Sequence, residues 1–441
     1  MQLLTKPIDE IKANPRNART HDRRQIQKLV ASIQSFGFRS PLLVDEVGII
    51  IAGHGRLAAA LELGLTEVPV IVVEGLSEAE KRGLALADNR IALDAGWDLD
   101  TLAIELRELS AIDLDFAIEA TGFDTSEIDL VLDGQTSVKT DSREDQVPAV
   151  GAAAVTRPGD LWLLGEHRLL CGDTRDPGGL AKLMREERAR LAFADPPYNV
   201  QVNGHVCGLG SIQHREFAMA SGEMTDQEFT AFLMESCRNA AAVSVDGAIH
   251  FICMDWRHIS ELATAGRQVY SELKNICVWA KDNGGMGSFY RSQHELVFVF
   301  KVGTARHVNN IELGRMGRYR TNVWEYAGVN TLRSGRLDDL SMHPTVKPVA
   351  LVADAIKDCS RRNEIVLDPF AGSGTTILAA QKTGRRARAI EIDPLYVDVA
   401  LRRWETFSDR PAVLEATAQS FEEVATTRKQ PCTLSSNNRM G

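Results

Sequence analysis

No cysteine occurs before Cys171, and the seven in the chain (Cys171, Cys207, Cys237, Cys253, Cys277, Cys359 and Cys432) form no Cys-x-x-Cys pair. That spacing argues against a zinc site and a disulfide framework; no metal is expected, and the thiols fit a reduced, cytoplasmic setting. No apolar run approaches the ~20 residues needed to span a bilayer. Lys6 is followed by polar residues rather than the apolar core of a signal peptide, so no membrane partner is expected. Internal repeats are also missing. Positive charge is in deficit, with 50 Lys and Arg against 60 Asp and Glu, a net charge of −10. A uniformly basic nucleic-acid binder is therefore excluded.

The deficit is local. Residues 1–150 hold 15 basic and 26 acidic side chains, and within them residues 92–133 hold twelve acids against Arg107 alone. The rest of the chain is near neutral. Inside it, residues 301–336 carry seven bases (Lys301, Arg306, Arg315, Arg318, Arg320, Arg333 and Arg336) against Glu312 and Glu325. Such a stretch suits phosphates and guanine edges. A chain of 441 residues with 44% hydrophobic content predicts two or three globular domains.

Two signatures carry chemistry. The apolar run Ala189 to Ala194 reads as a buried parallel strand and stops at Asp195-Pro196-Pro197-Tyr198. The prolines forbid further strand, so Asp195 falls at a strand's carboxyl end, where open α/β sheets bind ligands. A carboxylate and a neighbouring backbone carbonyl can accept both N–H bonds of an exocyclic base amine. Proline offers no competing donor, and Tyr198 offers a flat face for an extruded base. A plain Asp-Pro-Pro turn beside a core tyrosine is the competing reading.

The second signature is Asp368-Pro369-Phe370-Ala371-Gly372-Ser373-Gly374-Thr375-Thr376. It lies between a predicted strand (364–368) and a predicted helix (376–381), the context in which a glycine loop approaches a ligand. The next strand ends near Glu391 and Asp393, about twenty residues on, where nucleotide folds place a ribose-binding acid. The loop lacks the Gly-x-Gly-x-x-Gly spacing of NAD and FAD sites.

In this order the two signatures resemble the DNA amino-methyltransferases of the circularly permuted beta class. The resemblance spans about residues 158–408. It takes in a hairpin closing at Asp173, a strand over 247–253, Trp279-Ala280-Lys281, the segment from Gly287 through Arg291 to Glu295, His343-Pro344-Thr345-Val346-Lys347-Pro348, and Arg403-Trp404. It implies a permuted Rossmann-like α/β sheet and S-adenosyl-L-methionine as cofactor. Cofactor residues would be Asp173, Thr345, Lys347, Asp368, Phe370, Gly372, Gly374, Thr375, Thr376, Glu391 and Asp393. Asp195, Pro196, Pro197 and Tyr198 would be catalytic. Double-stranded DNA would be the partner, contacted by Arg291, Arg306, Arg315, Arg318 and Arg320 in a target-recognition region near 301–342. Asp at the head of the tetrapeptide favours adenine N6 over cytosine N4. Carbon-5 methylation needs a thiolate, and no cysteine neighbours the tetrapeptide in sequence.

The first 95 residues read as a separate α+β domain: an amphipathic helix (23–36), strands near 42–44, 49–52 and 68–73, and a helix after Gly53-His54-Gly55-Arg56. With Asn14-Pro15-Arg16-Asn17 this resembles the ParB/sulfiredoxin-like domain, without the cysteine of its reductases. The glycine turn is a candidate phosphate site, or simply a turn with Arg56 paired to an acid. A bound nucleotide and a homodimer are compatible with it, as is a rival reading of the whole chain as a partition-type DNA-binding switch. Residues 96–133 read as solvated acidic helices with a Leu99, Leu102, Leu106, Leu109 stripe, residues 134–157 as a linker, residues 158–425 as the catalytic domain and 426–441 as a disordered tail.

Overall fold

Among the described residues, apolar runs assemble into two separate sheets, one in each of two units covering residues 1–137 and 138–441. The structure is a computed structural model that describes residues 3–112, 114–134, 143–144, 146–200, 220–282, 284, 289–311, 318–327 and 346–429. Among these, no helix is long and apolar enough to cross a membrane.

In the first unit, β1 (Leu3–Pro7), β2 (Leu42–Val44), β3 (Ile50–Ala52) and β4 (Glu67–Val72) form a sheet in the order β1-β4-β2-β3. Leu42, Val44, Ile50, Leu57, Val68 and Val70 make its core. The helix Arg23–Phe36 begins where the Asp22 side chain accepts from the Gln25 N–H and ends at Gly37, φ 77°. Strand β1 and the helix Glu78–Ile91, which starts with a Ser77/Glu80 capping box, go beyond the elements expected from sequence.

The helices Leu99–Ala111 and Thr125–Gly134 are not merely solvated acidic faces. Leu106, Ile118 and Ile128 are buried together, with Leu102, Leu109 and Phe123 packed around them. Leu99 stands outside the cluster, 58% exposed, because it is the first helical residue after the Asp98 cap.

The second unit contains β5 (Leu161–Leu164), β6 (His167–Cys171), β7 (Ala189–Ala194), β8 (Ser244–Met254), β9 (Glu272–Ala280), β10 (His294–Lys301), β11 (Val323–Glu325), β12 (Ile365–Asp368), β13 (Arg386–Glu391), β14 (Val413–Leu414) and β15 (Gln419–Ser420). Their order is β11-β9-β10-β8-β7-β12-β13-β6-β5-β14-β15. Strands β8, β7, β12, β13 and β6 run parallel, and β10 runs antiparallel between β8 and β9. Burial on both faces explains why β7 and β12 are apolar throughout. One face is covered by the helices Val349–Cys359, Thr375–Thr383 and Pro394–Ser408, the other in part by Asp226–Ala242 and Ile259–Val269. Strands β7 and β12 are neighbours although β8 to β11 separate them in sequence. The permuted α/β sheet expected from the order of the signatures is thus the sheet observed.

Two boundaries need correcting. Residues 143–157, read as part of a linker, are stitched to the second unit where they are described. The buried Asp398 carboxylate accepts from the Val155 and Thr156 N–H groups at 2.6 and 3.0 Å, and Lys382 reaches Glu144 at 2.6 Å. A polar composition did not reveal these anchors, because the acid that satisfies the backbone lies far away in sequence. The expected disordered tail also begins late: a helix runs from Phe421 to Lys429, with Arg428 2.6 Å from Asp160.

Candidate active site

The carboxyl ends of β7 and β12 lie side by side, which places the two signatures against each other. Beyond β7 the chain turns through Pro196 and Pro197 to Tyr198. The turn is held by Asn199 at φ 53°, whose side-chain oxygen accepts from Gly222 and Met224 N–H groups at 3.1 and 3.2 Å.

Asp195 sits in a network of four other polar side chains. The Tyr198 hydroxyl, with one proton to share, lies 2.7 Å from Asp195 Oδ1 and 3.0 Å from Glu295 Oε2. Lys347 Nζ lies 2.6 Å from Asp195 Oδ2 and 3.0 Å from Glu295 Oε2. Lys281 Nζ lies 2.5 Å from Glu295 Oε1. Burial pushes the Asp195 carboxyl up against the pull of Lys347. Burial acts the same way on Glu295, but Lys347 and Lys281 together outweigh it and hold that carboxyl down at about 2. The asymmetry follows from the cation count, one beside Asp195 and two beside Glu295.

The resemblance puts Lys347 on the cofactor side; in the structure it pairs with Asp195. Glu295 and Lys281 lay inside recognised segments without a role. The available signal was a charged residue heading the apolar run Leu296 to Phe300, an expensive position unless a partner awaits it. Cys253 of β8 interacts electrostatically with Asp195, so a cysteine does stand near the tetrapeptide in space. Burial pushes its thiol well above the ordinary value, and a neutral thiol is no nucleophile.

The glycine loop is built around positive φ angles. Gly374 (φ 81°) precedes the helix Thr375–Thr383, and a Cβ there would lie 2.9 Å from the Cβ of Ala400. Gly372 (φ 50°) would point a Cβ into open space. Its N–H donates to Glu391 Oε2 at 2.8 Å, and Glu391 Oε1 accepts from Asp393 N–H at 2.8 Å. Burial raises the Glu391 and Asp368 carboxyls to about 7. Asp368 caps its own turn by accepting from Phe370 N–H at 3.0 Å.

Other expected cofactor residues turn inward. Thr376 hydrogen-bonds Asp368, and Thr375 Oγ1 accepts from Arg403 at 3.0 Å. Arg403, itself buried, also reaches the Ser373 hydroxyl at 3.1 Å and so clamps the loop from behind. The Asp393 carboxylate accepts from Leu395 N–H and caps the helix Pro394–Ser408. Asp173 is held by Arg175, which lowers its carboxyl against the opposing effect of burial. Phe370 packs on Phe232 beside Pro196 in an apolar pocket. An open space at Gly372 and an acid locked to the loop fit S-adenosylmethionine, which Gly372 and Glu391 would hold.

The basic stretch divides. Arg318 is buried, 2.8 Å from Asp358 and 3.4 Å from Asp354. Arg320 pairs with the same two acids and lies over Trp324. These two arginines are internal struts rather than DNA contacts, because the helix Val349–Cys359 presents two carboxylates to them. Arg291 and Arg306 are exposed. Arg315 and Thr345 fall outside the described residues.

In the first unit, Gly53 takes φ 110°, and a Cβ there would meet Leu42 at 2.7 Å. His54 Nε2 accepts from Asn14 N–H at 3.1 Å, and burial lowers its pKa. Gly55 packs against the His21 ring. Arg56 donates to the Ser40 carbonyl at 3.0 Å.

A Rossmann-like sheet with a glycine loop beside an Asp-Pro-Pro-Tyr turn defines the class of S-adenosylmethionine-dependent methyltransferases. Comparison with known families narrows it. Residues 189–402 match the DNA methylase family of N6 and N4 enzymes, residues 2–90 the ParB N-terminal domain, and residues 100–158 the ParB-methyltransferase HTH domain. The chain carries an N6/N4 DNA methylase domain behind a ParB-type N-terminal domain. The helix-turn-helix match replaces the reading of residues 96–133 as solvated helices and extends over residues read as linker.

Among its relatives, the ParB-like nuclease domain-containing protein YnaK of Escherichia coli is 45% identical over 82 residues, covering 19% of this chain and 94% of that protein. The DNA adenine methyltransferase YhdJ of Escherichia coli is 27% identical over 274 residues, covering 56% of this chain and 84% of that protein. The crystal structure of an M1.HpyAVI-SAM complex is 21% identical, with a TM-score of 0.38, over 54% of this chain and 98% of its own.

Proposed function

We propose that this protein methylates the exocyclic N6 of adenine at specific sites in duplex DNA, by flipping the base out of the helix and transferring the methyl group directly. The observation that carries the reading is the placement of Asp195 at the end of β7, beside the glycine loop at the end of β12. Asp195 and the Pro196 carbonyl accept the amine hydrogens and localise the nitrogen lone pair. The Tyr198 ring stacks on the base while its hydroxyl stays anchored to the two carboxylates. Bound S-adenosylmethionine supplies an electrophilic methyl on its sulfonium. The chain's contribution is orientation and a preset field, with no covalent enzyme intermediate.

Adenine rather than cytosine is supported by Asp at the head of the tetrapeptide and by the adenine methyltransferase among the relatives. N4-cytosine methylation is the alternative. The test is replacement of Asp195 by Ala. Methyl transfer should disappear while S-adenosylmethionine binding is largely kept, and retained activity would sink the assignment.

For the N-terminal domain we propose a phosphate-bearing nucleotide at the Gly53–Arg56 turn. The support is the left-handed Gly53 immediately before the helix His54–Glu62. Titration of the full chain with CTP and with ATP tests it, and no heat of binding for either would remove the proposal.

A further inference from the structure

The polar centre of the active site is already occupied, and its occupation is lopsided. Lys347 bridges Asp195 and Glu295, the Tyr198 hydroxyl touches both carboxylates, and Lys281 adds a second cation to Glu295 alone. A base amine approaching Asp195 competes with Lys347 for Oδ2, because the Tyr198 hydroxyl already holds Oδ1. A displaced buried ammonium needs another acceptor at once, since leaving it unpaired is costly. Glu295 Oε2, 3.0 Å away, is that acceptor.

We propose that Glu295 is a positioning residue for methyl transfer: it is the carboxylate onto which Lys347 retreats when a target amine takes its place on Asp195. The proposal rests on Asp195 being the amine acceptor. Lys347 is then a placeholder donor that favours the ionised form of Asp195 until a base arrives. A base edge bearing an amine replaces the lost N–H donors. A base edge bearing a carbonyl, as in thymine, would set an acceptor against a carboxylate and leave Lys347 in place. The pair therefore selects for exocyclic amines before any chemistry begins.

The charges around Asp195 give the test its sign. It is faced by Tyr198 of its own loop, Lys347, Glu295 of β10, Cys253 of β8 and Asp368 of β12, with Lys281 acting through Glu295. Glu295→Gln removes a negative neighbour and leaves Asp195 as the one carboxylate bound to Lys347. Asp195 is then ionised down to lower pH, yet Lys347 is harder to displace. Lys347→Met does the reverse and leaves Asp195 easier to protonate.

The experiment is steady-state methylation of duplex DNA by the full chain from about pH 5 to 9, with S-adenosylmethionine binding by calorimetry. For Glu295→Gln, kcat should fall about tenfold while the acid limb moves to lower pH, cofactor affinity staying within about twofold. Glu295→Asp should regain part of the rate, and Lys347→Met should move the acid limb to higher pH. An unchanged kcat in Glu295→Gln overturns the proposal, as does a lost rate with an unmoved acid limb. Were Glu295→Gln unable to bind cofactor, an acid limb that fails to rise in Lys347→Met would overturn it instead. Activity retained in Asp195→Asn would count against the reading of Asp195 itself, a result distinct from any at Glu295.

Discussion

The guanidinium of Arg318 lies 2.8 Å from the carboxylate of Asp358, and both groups are buried. Removing Arg318 leaves Asp358 with Arg320 as its remaining cation, 3.2 Å away, so Arg318→Ala should destabilise the protein by ~1–3 kcal/mol. Chemical denaturation of that variant checks it, and a change below about 1 kcal/mol would show the pair to be dispensable.

The exposed arginines should behave differently. Arg291→Ala and Arg306→Ala should leave stability nearly unchanged and weaken DNA binding. Each should lower the slope of log affinity against log salt by about one for a single phosphate contact. Binding titrations at several salt concentrations measure this.

The two loop glycines should separate stability from ligand binding. At Gly374, φ is 81° and the space is filled by Ala400, so Gly374→Ala should cost ~1–3 kcal/mol and lower cofactor affinity. At Gly372, φ is 50° but the space is open, so Gly372→Ala should cost roughly 1 kcal/mol while its methyl still obstructs the cofactor. Thermal melts with and without S-adenosylmethionine distinguish the two.

Burial raises the Glu391 carboxyl to about 7, above its ordinary value of 4.5. A raised carboxyl favours folding at low pH, and that contribution is lost as pH climbs from the ordinary value through about 7. The melting temperature of Glu391→Gln relative to the parent should therefore rise across that window and level off above it. Paired melts from about pH 5 to 8.5 check the sign.

Much of the catalytic fold was legible because buried parallel strands are apolar throughout and glycine loops need positive φ. Ala189–Ala194 was read with its boundaries intact, and the helix after the glycine loop differs by only one or two residues at each end. What escaped were partnerships across long sequence distance. Lys347 with Glu295, and Arg403 with Ser373, cannot be read from either segment alone. Arg318 and Arg320 were misread because a charge count along 301–336 ignores the acids that answer them. Asp354 and Asp358 stand four residues apart on one helix, a spacing that places both carboxylates on one face. That was the signal in the sequence that these arginines had partners within the fold.

The central claim is that Asp195 directs methylation of an adenine amine in DNA. Long-read sequencing of DNA from cells expressing the parent chain and its Asp195→Ala variant tests it most directly. The account predicts N6-methyladenine at one recurring sequence with the parent and none with the variant. N4-methylcytosine in place of methyladenine, or methylation that survives the substitution, would contradict it.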